Sequence, residues 1–288
     1  MRVDEFDEVV GRALAEDLVD RGDITSRSVI PATSTSRAHI VARAGGVIAG
    51  LEVAGHVFTR VDPNVAFDGR AIDGTRVEPG EVVATVSGLS RSILAAERTA
   101  LNLLGRMSGV ATATAELVEA VAGTGARITD TRKTMPGLRA LDKYAVVTGG
   151  GVNHRMGLYD QVMIKDNHIV ATGDIGSAVA AAREINGEDI RVIVEVEDLV
   201  QLALVLKTTA NRVLLDNMRP EMLRTAVEMV DGAMETEASG GVTLETVRAI
   251  AESGVDYISV GWITHSAPQL DLALEFRVPN AVGTISGP

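Results

Sequence analysis

Apolar positions recur along this chain in two rhythms, and the change of rhythm divides it. Phe6, Val9, Val10, Leu14 and Leu18 fall on one stripe at helical spacing, which predicts a helix over 4–20 closed by a turn at Asp23-Ile24-Thr25. From Arg37 to Val86 the runs shorten to β-type stretches, 38–42, 47–49 and 82–86. Turn signals separate them: Gly45-Gly46, Asp62-Pro63-Asn64, Asp73-Gly74 and Pro79-Gly80. That texture predicts a small β-rich sandwich. Ser92 then caps an expected helix over 93–106, with Ile93, Ala96, Ala100, Leu103 and Leu104 on its buried face and Arg98 pointing away. A second helix is expected over 109–121.

Beyond residue 126 strand and helix patterns alternate. Strand-like runs end near Thr131, Lys165, Glu195, Asp216, Glu237 and Ser259, with amphipathic helices over 175–185, 199–207, 220–230 and 244–252. The last four ends, at 195, 216, 237 and 259, are 21, 21 and 22 residues apart, close to one strand-plus-helix unit each. Such repetition implies a parallel sheet and favours an α/β barrel, complete or not, over a doubly wound sheet. A Rossmann arrangement is weaker, since no G-x-G-x-x-G follows the first strand. The tail after Gly261, helical over 270–276 and then loop-like at Val278-Pro279, is expected to pack back on the N-terminal domain. The expected domains are therefore 1–106 with 267–288, and 107–266.

Composition narrows the class. The chain has 288 residues, 46% apolar and only 3% aromatic, so a sizeable core must be built from Val, Leu, Ile and Ala. The absence of cysteine excludes disulfides, thiolate catalysis and Cys-based zinc sites. A formal charge of −12 with so few aromatics argues against nucleic acid as a partner. The acidic N-terminus lacks a signal-peptide pattern, and no apolar run reaches the ~18 residues of a membrane span. The expectation is a soluble, cytoplasmic protein with no membrane partner.

One stretch runs against the overall charge. Residues 129–168 hold six cations (Arg132, Lys133, Arg139, Lys143, Arg155, Lys165) against four aspartates, in a chain otherwise acidic. Beside them lies Gly149-Gly150-Gly151. Arg forks, Lys point charges and glycine backbone N–H groups together suit a small polyanion. The alternative is a solvated charged loop. Arg132-Lys133 and Lys165 directly follow strand-like runs, which favours the rim of a sheet, where α/β proteins place their chemistry.

The other strand ends add Glu195, Glu197, Asp216, Asn217, Glu237, Ser239, Ser259 and Gly261. Ser239-Gly240-Gly241 leads into a helix, an arrangement suited to phosphate. Glu195 and Asp216 suit Mg²⁺, or else pair with the nearby cations. His154 is either an acid–base group or a hydrogen-bond donor, and Arg98 alone reads as a surface residue. No H-E-x-x-H or G-x-S-x-G pattern suggests a hydrolase.

In order along the chain stand Glu16-Asp17 with Gly22-Asp23-Ile24-Thr25, Glu97-Arg98-Thr99-Ala100-Leu101-Asn102, Thr131-Arg132-Lys133-Thr134 with Pro136-Gly137-Leu138-Arg139, Gly149-Gly150-Gly151 with Asn153-His154-Arg155, and Lys165-Asp166-Asn167-His168. Glu195-Val196-Glu197, Leu215-Asp216-Asn217, Ser239-Gly240-Gly241 and Thr264-His265-Ser266 follow. This ordered set resembles the quinolinate phosphoribosyltransferases, that is, nicotinate-nucleotide diphosphorylase (carboxylating). The resemblance implies an α/β fold: an N-terminal α/β sandwich and an incomplete, seven-stranded α/β barrel. It implies transfer of the phosphoribosyl group of phosphoribosyl pyrophosphate to quinolinate with decarboxylation, giving nicotinate mononucleotide for NAD biosynthesis.

It further implies a homodimer, with assembly beyond the dimer left open, in which Arg98 of one subunit joins Arg132, His154, Arg155 and Lys165 of the other around quinolinate. Lys133 would meet the pyrophosphate, and Ser239, Gly240, Gly261 and His265 the 5′-phosphate. Glu195 and Asp216 would organise Mg²⁺, and Lys133, Lys165, Glu195 and Asp216 form the catalytic set. Met135, Val147 and Trp262 depart from the family pattern. The competing readings are a phosphoribosyltransferase acting on nicotinate or another ring acid, and a non-catalytic protein that binds phosphoribosyl pyrophosphate or a pyridine acid.

Overall fold

The computed structural model describes residues 2–276, and the chain divides into two units, one running to Thr112 and resuming at Ala267, the other 113–266. The first unit opens with α1 (Asp7–Leu18), whose Val10 and Leu14 are buried as the stripe requires. The turn expected at Asp23 is instead the start of α2 (Ile24–Val29). The Asp23 carboxylate accepts the Ser26 N–H at 2.9 Å, an N-cap rather than a stop. Strands β1 (Thr35–Ala42) and β2 (Gly46–Val47) follow, then α3 (Leu51–Val61), β3 (Ala66–Gly69), β4 (Arg76–Val77) and β5 (Val82–Leu89). Helix α3 was not foreseen within the β-type texture. Leu51, Val53, Ala54, Val57 and Phe58 are buried along it, and Asp73 accepts the N–H groups of Gly50 and Leu51 at its start.

Two helices were expected next, and one continuous helix, α4 (Ser90–Ala120), is found. Its glycines serve close approach rather than termination. A Cβ at Gly109 would lie 2.0 Å from the Pro268 carbonyl oxygen, and one at Gly105 3.0 Å from that of Leu270. The helix expected over 270–276 is also corrected, to a strand, β12 (Leu272–Phe276), paired antiparallel with β1 from Ala42↔Leu272 to Ala38↔Phe276. Leu272, Leu274 and Phe276 alternate with Ala273 and Glu275, the period of a strand. The sheet order is β12-β1-β5-β3, all antiparallel, with β2 and β4 as a separate pair. The loop expected at Val278-Pro279 and the remaining tail lie outside the described residues.

The second unit repeats strand and helix. It runs β6 (Arg127–Thr129), α5 (Arg139–Thr148), β7 (Val162–Ile164), α6 (Asp166–Thr172), α7 (Ile175–Asn186), β8 (Val192–Val196), α8 (Leu199–Val205), β9 (Arg212–Asp216), α9 (Pro220–Val230), β10 (Glu235–Ser239), α10 (Leu244–Ala251), β11 (Tyr257–Ser259) and α11 (Trp262–His265). The six strands form a parallel sheet in the order β6-β11-β10-β9-β8-β7. First and last strands are thus neighbours while, among the described residues, β7 pairs only with β8, which is a barrel left open on one side. Val152 adds a one-residue parallel bridge to Thr129 in the place of the seventh strand.

Apolar layers from Val192, Ile193, Val194, Val213 and Ile258 are fully buried. Part of the interior is charged instead. Arg212 donates to Glu235 and to Glu237, and the guanidiniums of Arg127 and Arg212 lie over the Tyr257 ring, 4.2 and 3.6 Å from its centroid. Among the described residues no helix is long and apolar enough to cross a membrane.

Candidate active site

The C-terminal ends of the parallel strands open onto a cavity of about 440 Å³. Thr131, Arg132 and Lys133 reach it from the exit of β6, and His154 and Arg155 from the bridge segment. Met163 and Lys165 come from β7 and its end, Glu195 from β8, Leu214 and Asp216 from β9, Glu237 and Ser239 from β10, and Ser259 from β11. An adjoining compartment of about 390 Å³ shares Thr131, Lys133, Asp216, Ser239 and Ser259 and adds Asn217, Gly240, Gly241, Val242, Val260, Gly261, Trp262 and His265. The strand-end cations and carboxylates singled out from sequence therefore meet in one hollow, with Ser239, Gly240, Gly261 and His265 beside it. Arg98 belongs to the first unit, lies exposed on α4 3.8 Å from Glu97, and lines neither compartment.

Six cations were counted in the charged stretch, and four of them face the cavity. Lys143 is buried, its ammonium donating to Asp130 and to the His154 carbonyl. Asp130 also accepts the His154 N–H at 2.9 Å, and the Asn153 amide, turned so that its nitrogen faces acceptors, donates to it at 2.6 Å. Burial pushes the Asp130 carboxyl up to about 6 against the pull of Lys143, so at neutral pH it still carries its charge. This pair anchors the segment that carries His154 and Arg155. Arg139 likewise holds the wall together, donating to the carbonyls of Arg132 and Met156.

The glycine run does not serve the cavity, contrary to the expectation of backbone donors there. Gly149 closes α5, and a Cβ at Gly151 would lie 2.8 Å from Thr114 and 2.9 Å from Val146, so the run is a turn with tight packing.

Arg132 and Arg155 crowd one wall. Burial, and then the neighbouring Arg132 charge, hold the Arg155 guanidinium below its ordinary range, offset in part by Asp160 and Glu195. Two guanidiniums forced together in a half-dry site favour an anion between them. Lys165 pairs with Glu195, while Asp216 accepts the Asn217 amide at 2.7 Å. Among the described residues no three His, Cys, Asp or Glu side chains come together as a metal cluster. Two cavity carboxylates fit Mg²⁺, which binds through one or two protein carboxylates and completes its shell with substrate oxygens and water.

In the second compartment Gly240 and Gly241 adopt φ of +96° and +60°, and Thr243 caps α10 beyond them. A Cβ at Gly240 would meet Asn217 Oδ1 at 2.1 Å. Gly261 leaves room for Lys133 and His265, and the Thr264 hydroxyl donates to the Lys133 carbonyl at 2.9 Å. Trp262 lines this compartment and braces it, its indole N–H donating to the Val242 carbonyl at 3.0 Å. Met135 and Val147 are both exposed and line neither compartment. Thr131 stood in the sequence as a strand end and motif residue without a site role, and Met163 and Leu214 carried no signal there. Glu237 had been noted only as a strand end, although its position at the cavity floor follows from the inward alternation of β10.

A parallel barrel whose strand ends gather four cations beside a glycine-lined compartment defines an anion-binding α/β-barrel protein. The N-terminal domain profile of quinolinate phosphoribosyl transferase matches residues 23–108, and the C-terminal domain profile 110–275. The chain is 42% identical over 285 residues to quinolinate phosphoribosyltransferase [decarboxylating] 1b of Nicotiana tabacum, covering 93% of this chain and 81% of that one. It is 42% identical to a probable nicotinate-nucleotide pyrophosphorylase [carboxylating] of Bacillus subtilis, covering 91% and 90%. The structure of the nicotinate-nucleotide pyrophosphorylase from Francisella tularensis superposes with a TM-score of 0.91 at 36% identity, covering 96% and 98%. The chain belongs to the quinolinate phosphoribosyltransferase family.

Proposed function

We propose that the barrel cavity is where this chain transfers the phosphoribosyl group of phosphoribosyl pyrophosphate to quinolinate, releasing pyrophosphate and CO₂ and forming nicotinate mononucleotide. The observation that carries the reading is the convergence of Arg132, Lys133, Arg155 and Lys165 in one hollow next to the Ser239–Gly241 turn. Arg132, Arg155 and Lys165, with the His154 ring beside them, hold the two ring carboxylates. A dianion leaving water needs several such donors to offset desolvation. Lys133, shared by both compartments, meets the pyrophosphate, and Ser239, Gly240, Gly261 and His265 receive the 5′-phosphate. Lys133, Lys165, Glu195 and Asp216 form the catalytic set. Arg98 comes from the partner subunit of a homodimer to complete the quinolinate site.

The pyridine nitrogen attacks ribose C1 as the bond from C1 to the pyrophosphate oxygen breaks. Glu195 and Asp216 stabilise the positive charge that develops on the ribose and take up its hydroxyls. The ring nitrogen is now cationic, so the bond from the adjacent ring carbon to its carboxylate breaks with the electron pair left on that carbon, which then takes a proton. The same two carboxylates would hold the Mg²⁺ on which the family generally depends, and Mg²⁺ supplies charge to the departing pyrophosphate. No side-chain nucleophile is required.

The test incubates the protein with Mg²⁺, phosphoribosyl pyrophosphate and either quinolinate or nicotinate, following pyrophosphate and CO₂. Both products from quinolinate are expected. Pyrophosphate from nicotinate alone, without CO₂, would move the chain to the alternative ring acid, and no turnover with either acid would favour a binding protein.

A further inference from the structure

We propose that Glu237 is a positioning residue for quinolinate, acting through the ring orientation of His154; this rests on the reading above. His154 is 8% exposed, and its Nδ1 accepts the N–H of Arg155 at 2.6 Å. A backbone N–H is always a donor, so Nδ1 carries a lone pair, and the ring is neutral with its one proton on Nε2. An imidazolium would lose the Arg155 contact. Nε2 lies 3.4 Å from Glu237 Oε2, long for a hydrogen bond, and has no other hydrogen-bond partner among the described residues. Its proton therefore faces the carboxylate, so the ring is held at both nitrogens in the wall of the cavity that both residues line.

Glu237 can do this because its charge is secured from below. It is fully buried, accepts Arg212 Nη1 at 2.9 Å, and is hydrogen-bonded by the Ser259 hydroxyl. Burial alone would raise its carboxyl, and the Ser259 hydroxyl and the Arg212 guanidinium oppose that. A permanent anion in the floor of a cation-lined hollow costs affinity for an anionic substrate unless it orders a donor. Arg155, whose backbone is tied to the same ring, shares the effect.

The test compares the intact protein with Glu237→Gln, which keeps the shape and removes the charge; Arg212 retains Glu235 as a partner. Nitrogen-15 NMR of ligand-free protein should show His154 with a pyridine-like δ1 and a pyrrole-like ε2 nitrogen. In E237Q the ε2 nitrogen should shift as its proton loses the carboxylate, while δ1 stays pyridine-like against the Arg155 N–H. The KM for quinolinate should rise about tenfold, the scale of one lost charge-assisted hydrogen bond, with the KM for phosphoribosyl pyrophosphate within about twofold. An E237Q/H154Q double variant should be no worse than H154Q. An unchanged ε2 nitrogen in E237Q, or both KM values rising together, overturns the proposal. Should E237Q not fold, Glu237→Asp keeps the charge but withdraws it from the ring, and an unchanged ε2 nitrogen there overturns it equally. The NMR comparison needs no substrate, so it stands even if the ring acid proves to be nicotinate.

Discussion

Lys143 and Lys165 are the same side chain from the same charged stretch, with opposite fates. Lys143 is 1% exposed and spent on Asp130, whereas Lys165 is 40% exposed and meets Glu195 at the cavity. Charge composition cannot separate them; only the helical turn of α5 sends Lys143 inward. Replacing it by Met leaves the Asp130 carboxylate buried without its counter-charge, and a broken buried pair costs about 3–5 kcal/mol. A lone buried carboxyl has a raised folded pKa, so the penalty falls on its ionised form. It should be largest near pH 8 and shrink as pH drops and the group protonates. Urea denaturation of the K143M protein across that range measures it; a pH-independent loss would mean that packing, not charge, dominates.

Among the elements, those with regular period were legible and those shaped by tertiary contact were not. The helices α7 to α10 and the strand ends of β7 to β11 fall within two residues of expectation, because each βα unit buries one apolar stripe per turn of the barrel. Helix α3 escaped notice because it lies between the β-type runs 47–49 and 82–86 and a glycine interrupts it; Gly55 admits the Phe67 ring, 3.0 Å from where a Cβ would stand. Helices α5 and α6 were hidden by the density of charge around them. Cavity residues at strand ends were found because position alone reveals them, whereas the role of Glu237 depends on what stands opposite. The Ser239–Gly241 turn yields an element-scale prediction. Gly240→Ala would force a side chain into left-handed backbone and against Asn217. Binding of phosphoribosyl pyrophosphate, measured by calorimetry, should weaken at least about tenfold, one hydrogen bond or more at the 5′-phosphate, with quinolinate affinity nearly unchanged. Equal loss for both ligands would remove the turn's assignment to phosphate.

At the scale of the whole molecule the prediction concerns assembly. On the proposed shared site, the Arg98→Ala and Arg132→Ala variants should each lose nearly all activity. Mixing them under exchange conditions should restore part of it, since a hybrid dimer holds one site with both arginines. An assay that shows no recovery, with exchange verified by mass, would place Arg98 outside the shared site. The indole of Trp262 offers a last consequence. It is the chain's single tryptophan, and it stands in the wall of the glycine-lined compartment. Tryptophan emission from an unlabelled sample therefore arises from one fluorophore beside the proposed phosphate pocket, so a titration with phosphoribosyl pyrophosphate can be followed optically without attaching a dye. Quinolinate added alone should leave that light largely undisturbed.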